Sequence, residues 1–314
     1  MPTTDQPTDS DAAREVQDRV NREAALFEPK PEEGEHAGEL MVLPMHSRIE
    51  GPIDDLSRLE KALLFAELSN ASYLDEKSAV ATVAQAGFEE VEFFDRDGAQ
   101  AYRFANERDC VIACRGTEPH DINDVKADVD AAFAIVETVG RVHRGFNTEV
   151  DDLWPRIERS LLAEEASESK RTIWFCGHSL GGAMATICAG RCFHSPEVPD
   201  PEGLYTFGSP RVGDKQYINY CTVEHVRLVN NNDIVPRLPP RIMGFRHHGK
   251  ELYLDHKGRV RRKMRFTQKF ADRLRGFGKS LLRFKVDQLH DHIVDQYIGA
   301  LKSSLDREAK RAGR

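Results

Sequence analysis

The stretch Gly177-His178-Ser179-Leu180-Gly181-Gly182 lies between an apolar run, Thr172–Cys176, and a run of small and apolar residues, Ala183–Ala189. The first run predicts a buried β-strand and the second predicts a helix. A serine on such a sharp strand-to-helix turn presents its hydroxyl outside the sheet, and the glycines let the strand and the helix pass close together. The stretch therefore predicts that Ser179 is a nucleophile for acyl transfer, with the first helical N–H groups facing the oxyanion. The alternative is a serine that only caps the helix.

Other apolar runs alternate with helical patterns along the chain. Strands are predicted at Cys110–Cys114, Leu204–Phe207 and Val226–Val229. This alternation is typical of an α/β layout, in which helices cover both faces of a sheet. Ligand-binding groups in such sheets collect at the carboxyl ends of the strands. Four polar residues that each follow one of these strands are therefore expected to share one rim: Thr117, Ser179, Ser209 and Asp233.

Further elements follow from periodicity and turn chemistry. The leucines between Leu56 and Leu68 recur at helical spacing, which predicts a helix ending near Ser72. Two short apolar runs flank Asp97-Gly98 and predict a hairpin. Residues Ala127–Val139 are expected to be helical, and a second helix is expected through Val150, Leu153 and Ile157.

A serine needs a base within hydrogen-bond reach and an acid that orients the base. Asp233 is the leading acid because it directly follows a predicted strand; the alternative is an aspartate that only caps a turn. The histidines that follow it in the chain are His247, His248, His256, His290 and His292. Placement before a helical pattern favours His292 as the base, with His290 remaining an alternative in a different register.

Six motifs in order resemble the class 3 lipase family, the fungal-type lipases and their bacterial relatives. They are Val111–Thr117, Val142–Phe146, Gly177–Gly181, Thr206–Gly213, Asn232–Pro236 and Asp291-His292. The resemblance implies an α/β-hydrolase fold, with Ser179 as nucleophile, Asp233 as acid and His292 as base. It places the oxyanion hole at Thr117 and the N–H of Leu180. His143 and His178 are expected to shape the site, and Tyr297 resembles part of the motif that follows the base.

The activity that this resemblance implies is hydrolysis of a carboxylic ester in a lipid, with no metal or organic cofactor. Alternatives on the same fold are a phospholipase A1, a feruloyl esterase and a short-chain carboxylesterase. A lipid-binding protein without activity is disfavoured, because every residue type of the triad is present in order. In the related lipases the region corresponding to residues 118–141 carries a lid helix. Here Val129, Phe133 and Val136 would form its apolar face, and both a mobile lid and a fixed helix fit the pattern.

Composition, charge and cysteine spacing argue against several other functions and sites. The chain has 314 residues, a net charge of -8 and a pI of about 5.9, which argues against a nucleic-acid partner. The six cysteines form no C-x-x-C pair, so a zinc site is not expected. They are expected to be free, buried thiols. No apolar run is as long as a membrane span, and residues 1–10 do not resemble a secretory signal. The cytoplasm is the expected location, with export by a leaderless route left open.

Three parts are expected along the chain. Residues 1–52 read as a polar, flexible arm, residues 53–303 as the α/β-hydrolase domain, and residues 304–314 as a polar tail. The domain contains a basic amphipathic segment over residues 241–289. This segment is predicted to dock on the domain, and the alternative is contact with an anionic membrane.

Overall fold

The computed structural model describes residues 40–116, 133–136, 139–231, 233–261, 268–269 and 292–313. The fold is that of the compact unit that begins at Met41. The predictions for Thr117, Val129 and His290 lie outside the described residues, as does most of the basic segment beyond Arg261. Within the described ranges, no helix has both the length and the apolarity that crossing a membrane requires.

A central sheet of eight strands organises the described part of the chain. Its strands, in chain order, are β1 Glu90–Arg96, β2 Ala99–Ala105, β3 Asp109–Cys114, β6 Thr172–His178, β7 Gly203–Phe207, β8 Glu224–Asn230, β9 Lys250–Leu254 and β10 Val260–Arg261. Two further strands, β4 Phe133–Val136 and β5 Gly140–His143, form a separate two-stranded sheet. The sheet order is β1-β2-β3-β6-β7-β8-β9-β10. Its centre, from β3 to β9, is parallel, and its two edges are antiparallel. Three adjacent parallel strands, β6, β7 and β8, therefore end at one edge of the sheet, where ligand-binding groups collect.

Helices flank this sheet, and local sequence signals start several of them. In chain order they are α1 Arg58–Ala71, α2 Glu76–Val83, α3 Arg144–Ala166, α4 Leu180–Cys192, α5 Lys215–Tyr220 and α6 Val294–Ala312. Ser57 and Glu60 form a reciprocal capping box at the start of α1. Asp75 caps α2 and Asp214 caps α5 by accepting a backbone N–H from the first turn.

The sheet separates two apolar cores, because successive side chains of a strand point to opposite faces. Phe175 of β6 packs in the core that also contains residues of α3 and α4. Its neighbour Trp174 packs in the other core, with residues of α1 and α6. Helices thus cover both faces of the sheet, and the predicted α/β layout is confirmed.

Most of the predicted elements are present. The helix ending near Ser72, the hairpin at Asp97-Gly98 and the strand Cys110–Cys114 are confirmed as α1, β1–β2 and β3. The predicted helix through Val150 and Ile157 is confirmed as α3. All six cysteines are buried free thiols, as predicted.

The prediction of a helix over Ala127–Val139 is wrong for its described part. Residues Phe133–Val136 form β4, which pairs antiparallel with β5. A short apolar run fits a strand as well as a helix, and here pairing with the following segment decides between them.

Both predicted domain boundaries fall inside regular or hydrogen-bonded structure. The backbone N–H groups of Met41 and Leu43 donate to the hydroxyls of Ser78 and Thr82, and that of His46 donates to Glu67. The compact unit thus includes residues that the sequence assigned to the arm before residue 53. At the other end, α6 runs without a break to Ala312 and includes most of the predicted tail.

Candidate active site

Ser179 lies at the turn between β6 and α4, in a backbone conformation that few residues other than glycine adopt. Its φ and ψ angles are 57° and -128°, and it is the N-cap of α4. Such a conformation costs on the order of 1–3 kcal/mol and persists only where the surroundings hold it. The N–H of Ser179 donates to the carbonyl oxygen of Phe207 at 2.9 Å, which ties the turn to the end of β7. This hydrogen bond therefore helps to hold the strained serine at the carboxyl edge of the sheet.

Glycines make this turn sterically feasible. A Cβ on Gly177 would lie 2.3 Å from the carbonyl oxygen of Gly181, and one on Gly181 would lie 2.1 Å from that of Cys114. Real Cβ atoms do not approach backbone oxygens so closely. Any larger residue at either position would therefore force α4 away from β6 or β3, and the serine would move with the helix.

Ser179, His292 and Asp233 meet at this edge. Nε2 of His292 lies 2.8 Å from Oγ of Ser179, and Nδ1 of His292 lies 3.0 and 2.9 Å from the two carboxylate oxygens of Asp233. All three residues are buried. The contact with a carboxylate requires Nδ1 to carry a proton, so in the neutral ring Nε2 presents its lone pair to the serine hydroxyl. The structure thus brings together the three residues that the sequence selected.

The carboxylate of Asp233 has partners besides the imidazole. Oδ1 accepts the N–H of Val235 at 2.9 Å, and Oδ2 accepts the hydroxyl of Tyr297 at 2.5 Å. These donors offset the cost of burying a charged group. Gly208 packs against the pair in a left-handed conformation, with φ of 61°. A Cβ there would lie 2.8 Å from both Oδ2 of Asp233 and Nδ1 of His292, so the acid–base contact requires glycine.

His178 lies next to the imidazole of His292 but has a different set of partners. Its Nε2 lies 2.6 Å from the backbone carbonyl oxygen of His292, and its Nδ1 lies 2.9 Å from the hydroxyl of Tyr73. A carbonyl oxygen only accepts, so Nε2 carries the proton and Nδ1 accepts from Tyr73. Burial, followed by the nearby charge of His292, holds the pKa of His178 well below its ordinary value. His178 is therefore a neutral support beneath His292, in line with the predicted shaping role.

One predicted oxyanion donor lies in the described part of the chain. Leu180 is the first residue of α4, so its N–H has no carbonyl partner within the helix. Thr117, the other predicted donor, lies outside the described residues, and its role stays a prediction. Its neighbour Gly116 lies against the serine turn: a Cβ there would lie 2.6 Å from the carbonyl oxygen of His178.

The other described histidines contact different groups. Nε2 of His247 lies 2.6 Å from the carbonyl oxygen of Pro236, and His248 contacts His225 through their Nδ1 atoms at 3.0 Å. His143 stacks on Phe146, with ring centroids 4.1 Å apart. Within the described ranges, no three His, Cys, Asp or Glu side chains are grouped to hold a metal ion.

Comparison with known proteins agrees with this geometry. Residues 111–243, from β3 to the loop after Asp233, match the family described as Lipase (class 3). The chain is related to the class 3 lipases. It is 36% identical over 117 residues to the secreted mono- and diacylglycerol lipase 1 of Fusarium solani, which covers 36% of this chain and 34% of that protein. It is 35% identical over 119 residues to a lipase of Rhizomucor miehei, covering 36% of this chain and 33% of that protein.

A solved triacylglycerol lipase, whose catalytic centre is formed by a serine protease triad, resembles this chain in fold. The two share 26% sequence identity and a TM-score of 0.54, over 63% of this chain and 82% of that one. The predicted α/β-hydrolase fold and the predicted family resemblance are confirmed. The chain spans about a third of the length of the curated relatives it matches.

Sequence reasoning missed one residue of this candidate site and gave no contact for another. Tyr73 lies just after α1 and carries no local signal, because its contact with His178 joins residues 105 positions apart. Tyr297 was recognised as part of a motif, but its bond to Asp233 spans 64 positions. The sequence signals for Tyr297 are the motif resemblance and its position on the helical pattern that follows His292, and neither predicts the bond to Asp233.

Proposed function

We propose that this chain is a serine ester hydrolase of the lipase type, in which Ser179 is the nucleophile, His292 the general base and Asp233 the orienting acid. The observation that carries this proposal is the contact of Oγ of Ser179 with Nε2 of His292 at 2.8 Å, while Nδ1 faces a buried carboxylate. This arrangement can activate an otherwise weak hydroxyl nucleophile.

The reaction starts when Ser179 attacks the carbonyl carbon of an ester. His292 takes the hydroxyl proton through Nε2 and becomes an imidazolium, which the carboxylate of Asp233 stabilises. The N–H of Leu180 stabilises the oxyanion, since it begins a helix whose positive end faces the serine. His292 then gives its proton to the departing alcohol, and an acyl-enzyme remains.

The second half of the reaction repeats these roles with water. His292 removes a proton from a water molecule, which attacks the acyl-enzyme. Collapse of the second tetrahedral intermediate breaks the bond to Ser179 and returns the proton to its hydroxyl. The products are a carboxylic acid and the regenerated serine. Every step uses residues of the site and water.

The substrate class that we propose is a carboxylic ester in a lipid, such as an acylglycerol, at a lipid interface. Support comes from the relatives, which are named mono- and diacylglycerol lipase and lipase. A fluorophosphonate probe tests the chemistry: it should label the wild-type chain and should not label Ser179→Ala. Labelling that persists in Ser179→Ala would reject the assignment of the nucleophile.

A series of p-nitrophenyl esters from acetate to palmitate tests the substrate class, with and without emulsified triacylglycerol. A lipase should hydrolyse the long-chain esters and release fatty acid from the emulsion. Activity confined to short soluble esters would keep the esterase chemistry and reject the lipase assignment.

A further inference from the structure

An apolar tip protrudes from the loop that follows Asp233. We call residues 237–246 the tip loop. Ile242, in the 3₁₀ turn Arg241–Met243, is 95% exposed, and Met243 is 45% exposed. Burying an isoleucine side chain is favourable by about 1.5–3 kcal/mol, and at this position the fold forgoes nearly all of that stabilisation. An exposed apolar pair at a tip is a candidate contact for an apolar partner.

The tip is exposed although the loop that carries it is firmly held. The N–H of Arg211 donates to the carbonyl oxygen of Leu238 at 2.7 Å, and its guanidinium donates to that of Pro239 at 2.7 Å. On the far side of the tip, Phe245 is fully buried, and the N–H of Arg246 donates to the carbonyl oxygen of Gly213 at 2.7 Å. Because the backbone is held on both sides, the folded conformation of the loop itself exposes Ile242 to solvent.

Positive charge surrounds the tip. The guanidinium of Arg211 donates to the carbonyl oxygens of Arg237 and Pro239, and that of Arg246 donates to the carbonyl oxygens of Arg241 and Phe245. Carbonyl oxygens carry no full negative charge, and within the described ranges neither guanidinium forms an ion pair with a carboxylate. Burial, and then the charges of Arg241, Arg227 and Arg246, lower the pKa of Arg211 to about 10. The whole chain carries a net charge of -8, so the patch has the opposite sign to the molecule.

The tip loop is continuous with the active site. It follows Val235, whose N–H donates to Asp233, and it is anchored by Arg211, three residues after Gly208. Gly208 in turn packs against the carboxylate of Asp233 and the ring of His292. A surface that held the tip would therefore hold the rim of the sheet on which the triad lies.

We propose that the tip loop docks this chain on an anionic lipid surface. Ile242 and Met243 enter the acyl layer while the arginines around them bind head-group phosphates. An apolar tip within a basic collar matches such a surface, which is apolar inside and negatively charged outside. The inference rests on the proposed function, because the esters that the triad would hydrolyse are components of such a surface.

The test is sedimentation of the full chain with lipid vesicles, using the Ser179→Ala background so that no lipid is hydrolysed. Vesicles of phosphatidylcholine are compared with vesicles in which about a third of the lipid is phosphatidylglycerol. We expect binding to the anionic vesicles and a loss of about tenfold or more in affinity for the double variant Ile242→Ser/Met243→Ser, because most of the inserted apolar area is removed. The milder variant Arg241→Gln should lose about fivefold, and both losses should be measured at low salt.

Leu162→Ser is the matched control, because Leu162 is another exposed apolar residue, 38% exposed on α3. It should bind vesicles like the parent chain. Equal binding by the Leu162→Ser and Ile242→Ser/Met243→Ser chains would overturn the proposal, as would equal binding to neutral and anionic vesicles. Circular dichroism of each variant shows whether it is folded, and Arg241→Gln tests the collar independently of the apolar pair.

Hydrolysis of a short soluble ester separates this proposal from the proposed function. With Ser179 present, the tip variants should hydrolyse p-nitrophenyl butyrate at the parent rate, because the tip does not touch the triad. A parent chain that binds anionic vesicles through the tip but hydrolyses no ester would reject the function and keep the docking surface. A parent chain that hydrolyses esters but binds neither kind of vesicle would reject the docking surface and keep the proposed function.

Discussion

His178 and His292 are neighbours with identical side chains and different chemistry. Their ring centroids lie 4.6 Å apart, and both rings are buried. Nδ1 of His292 faces the carboxylate of Asp233 and its Nε2 faces a hydroxyl. The Nε2–H of His178 donates to a carbonyl oxygen, and its Nδ1 accepts from Tyr73. The comparison shows that the partner atoms decide which imidazole moves a proton: only the ring with an anionic partner can become charged without a large penalty.

The largest expected effect comes from removing the proton acceptor. We expect His292→Gln to lower kcat for p-nitrophenyl butyrate by on the order of 10⁵-fold, since the serine loses its base. His178→Gln should retain far more activity, because it removes only the support of the His292 carbonyl. Steady-state kinetics on the two variants measure both effects. An equal loss in the two variants would break the comparison and make His178 a second base.

Asp233→Asn should lower kcat by about 10⁴-fold, because an amide at this position can donate to Nδ1 and favour the wrong tautomer of His292. The matched control is Asp214→Asn, which makes the same exchange at the N-cap of α5, where asparagine also caps, and should keep the parent kcat. Full activity in Asp233→Asn would mean that the carboxylate does not orient His292.

Tyr297→Phe should lower kcat by about tenfold to a hundredfold with little change in KM. It removes a hydrogen bond to the buried carboxylate, which is worth about 1.5–3 kcal/mol for a charged acceptor, and it leaves the N–H of Asn230 without its hydroxyl partner. Tyr205→Phe is the control, since Tyr205 is another buried tyrosine that lies in the core against α1. The prediction fails if the two phenylalanine variants have the same kcat.

Tyr73→Phe should lower kcat only a few-fold, because it acts on His292 through His178. The sharper test is a double-mutant cycle. If Tyr73 acts only by holding the tautomer of His178, the variant Tyr73→Phe/His178→Gln should be no slower than His178→Gln alone. Simple multiplication of the two losses would show that Tyr73 acts on the site by a separate route.

The smallest effect concerns stability and pH. Burial is the first cause that holds the pKa values of His178, His225 and His247 well below the ordinary value for histidine. Below that ordinary value the unfolded chain binds protons that the folded chain does not, so the free energy of unfolding falls as pH falls. Each such histidine contributes up to about 1.4 kcal/mol per pH unit. Urea unfolding at several pH values between about 7.5 and 5, the range in which histidine titrates, measures how steeply the free energy of unfolding falls with pH.

His225→Gln should make the free energy of unfolding depend less steeply on pH, by the equivalent of about one bound proton. Glutamine does not titrate, and it can still bond to the hydroxyl of Thr206. His256→Gln is the control, since His256 lies on the turn between β9 and β10 and is only half-buried. An unchanged slope in His225→Gln would show that folding does not lower the pKa of His225.

Much of this fold could be predicted because its signals are local. The glycines around Ser179 and the buried strands on either side of the motif report backbone geometry directly, and a capping box marks the start of α1. The region Ala127–Val139 could not be assigned this way: its described strand, Phe133–Val136, owes its conformation to pairing with β5. The conformation of such a short apolar run depends on the strand it pairs with more than on intrinsic propensity.

The site shows the same division. Asp233 could be placed because it directly follows a strand, whereas placement before a helical pattern only favoured His292, and the family resemblance was needed to prefer it over His290. Periodicity cannot distinguish two histidines that are two residues apart. The contacts of Tyr73 and Tyr297 join residues far apart in the chain, so they appear only when α1, β6 and α6 pack together.

The position of α6 late in the described chain has a consequence for how the proposed enzyme is made. His292 and Tyr297 reach the site with this helix, which packs in the same core as residues of α1. During synthesis, Ser179 and Asp233 leave the ribosome before His292 does. A growing chain can therefore form most of its central sheet while Ser179 still lacks the imidazole of His292. The proposed ester hydrolase would gain its activity only once the segment that carries His292 and α6 has been made and has packed.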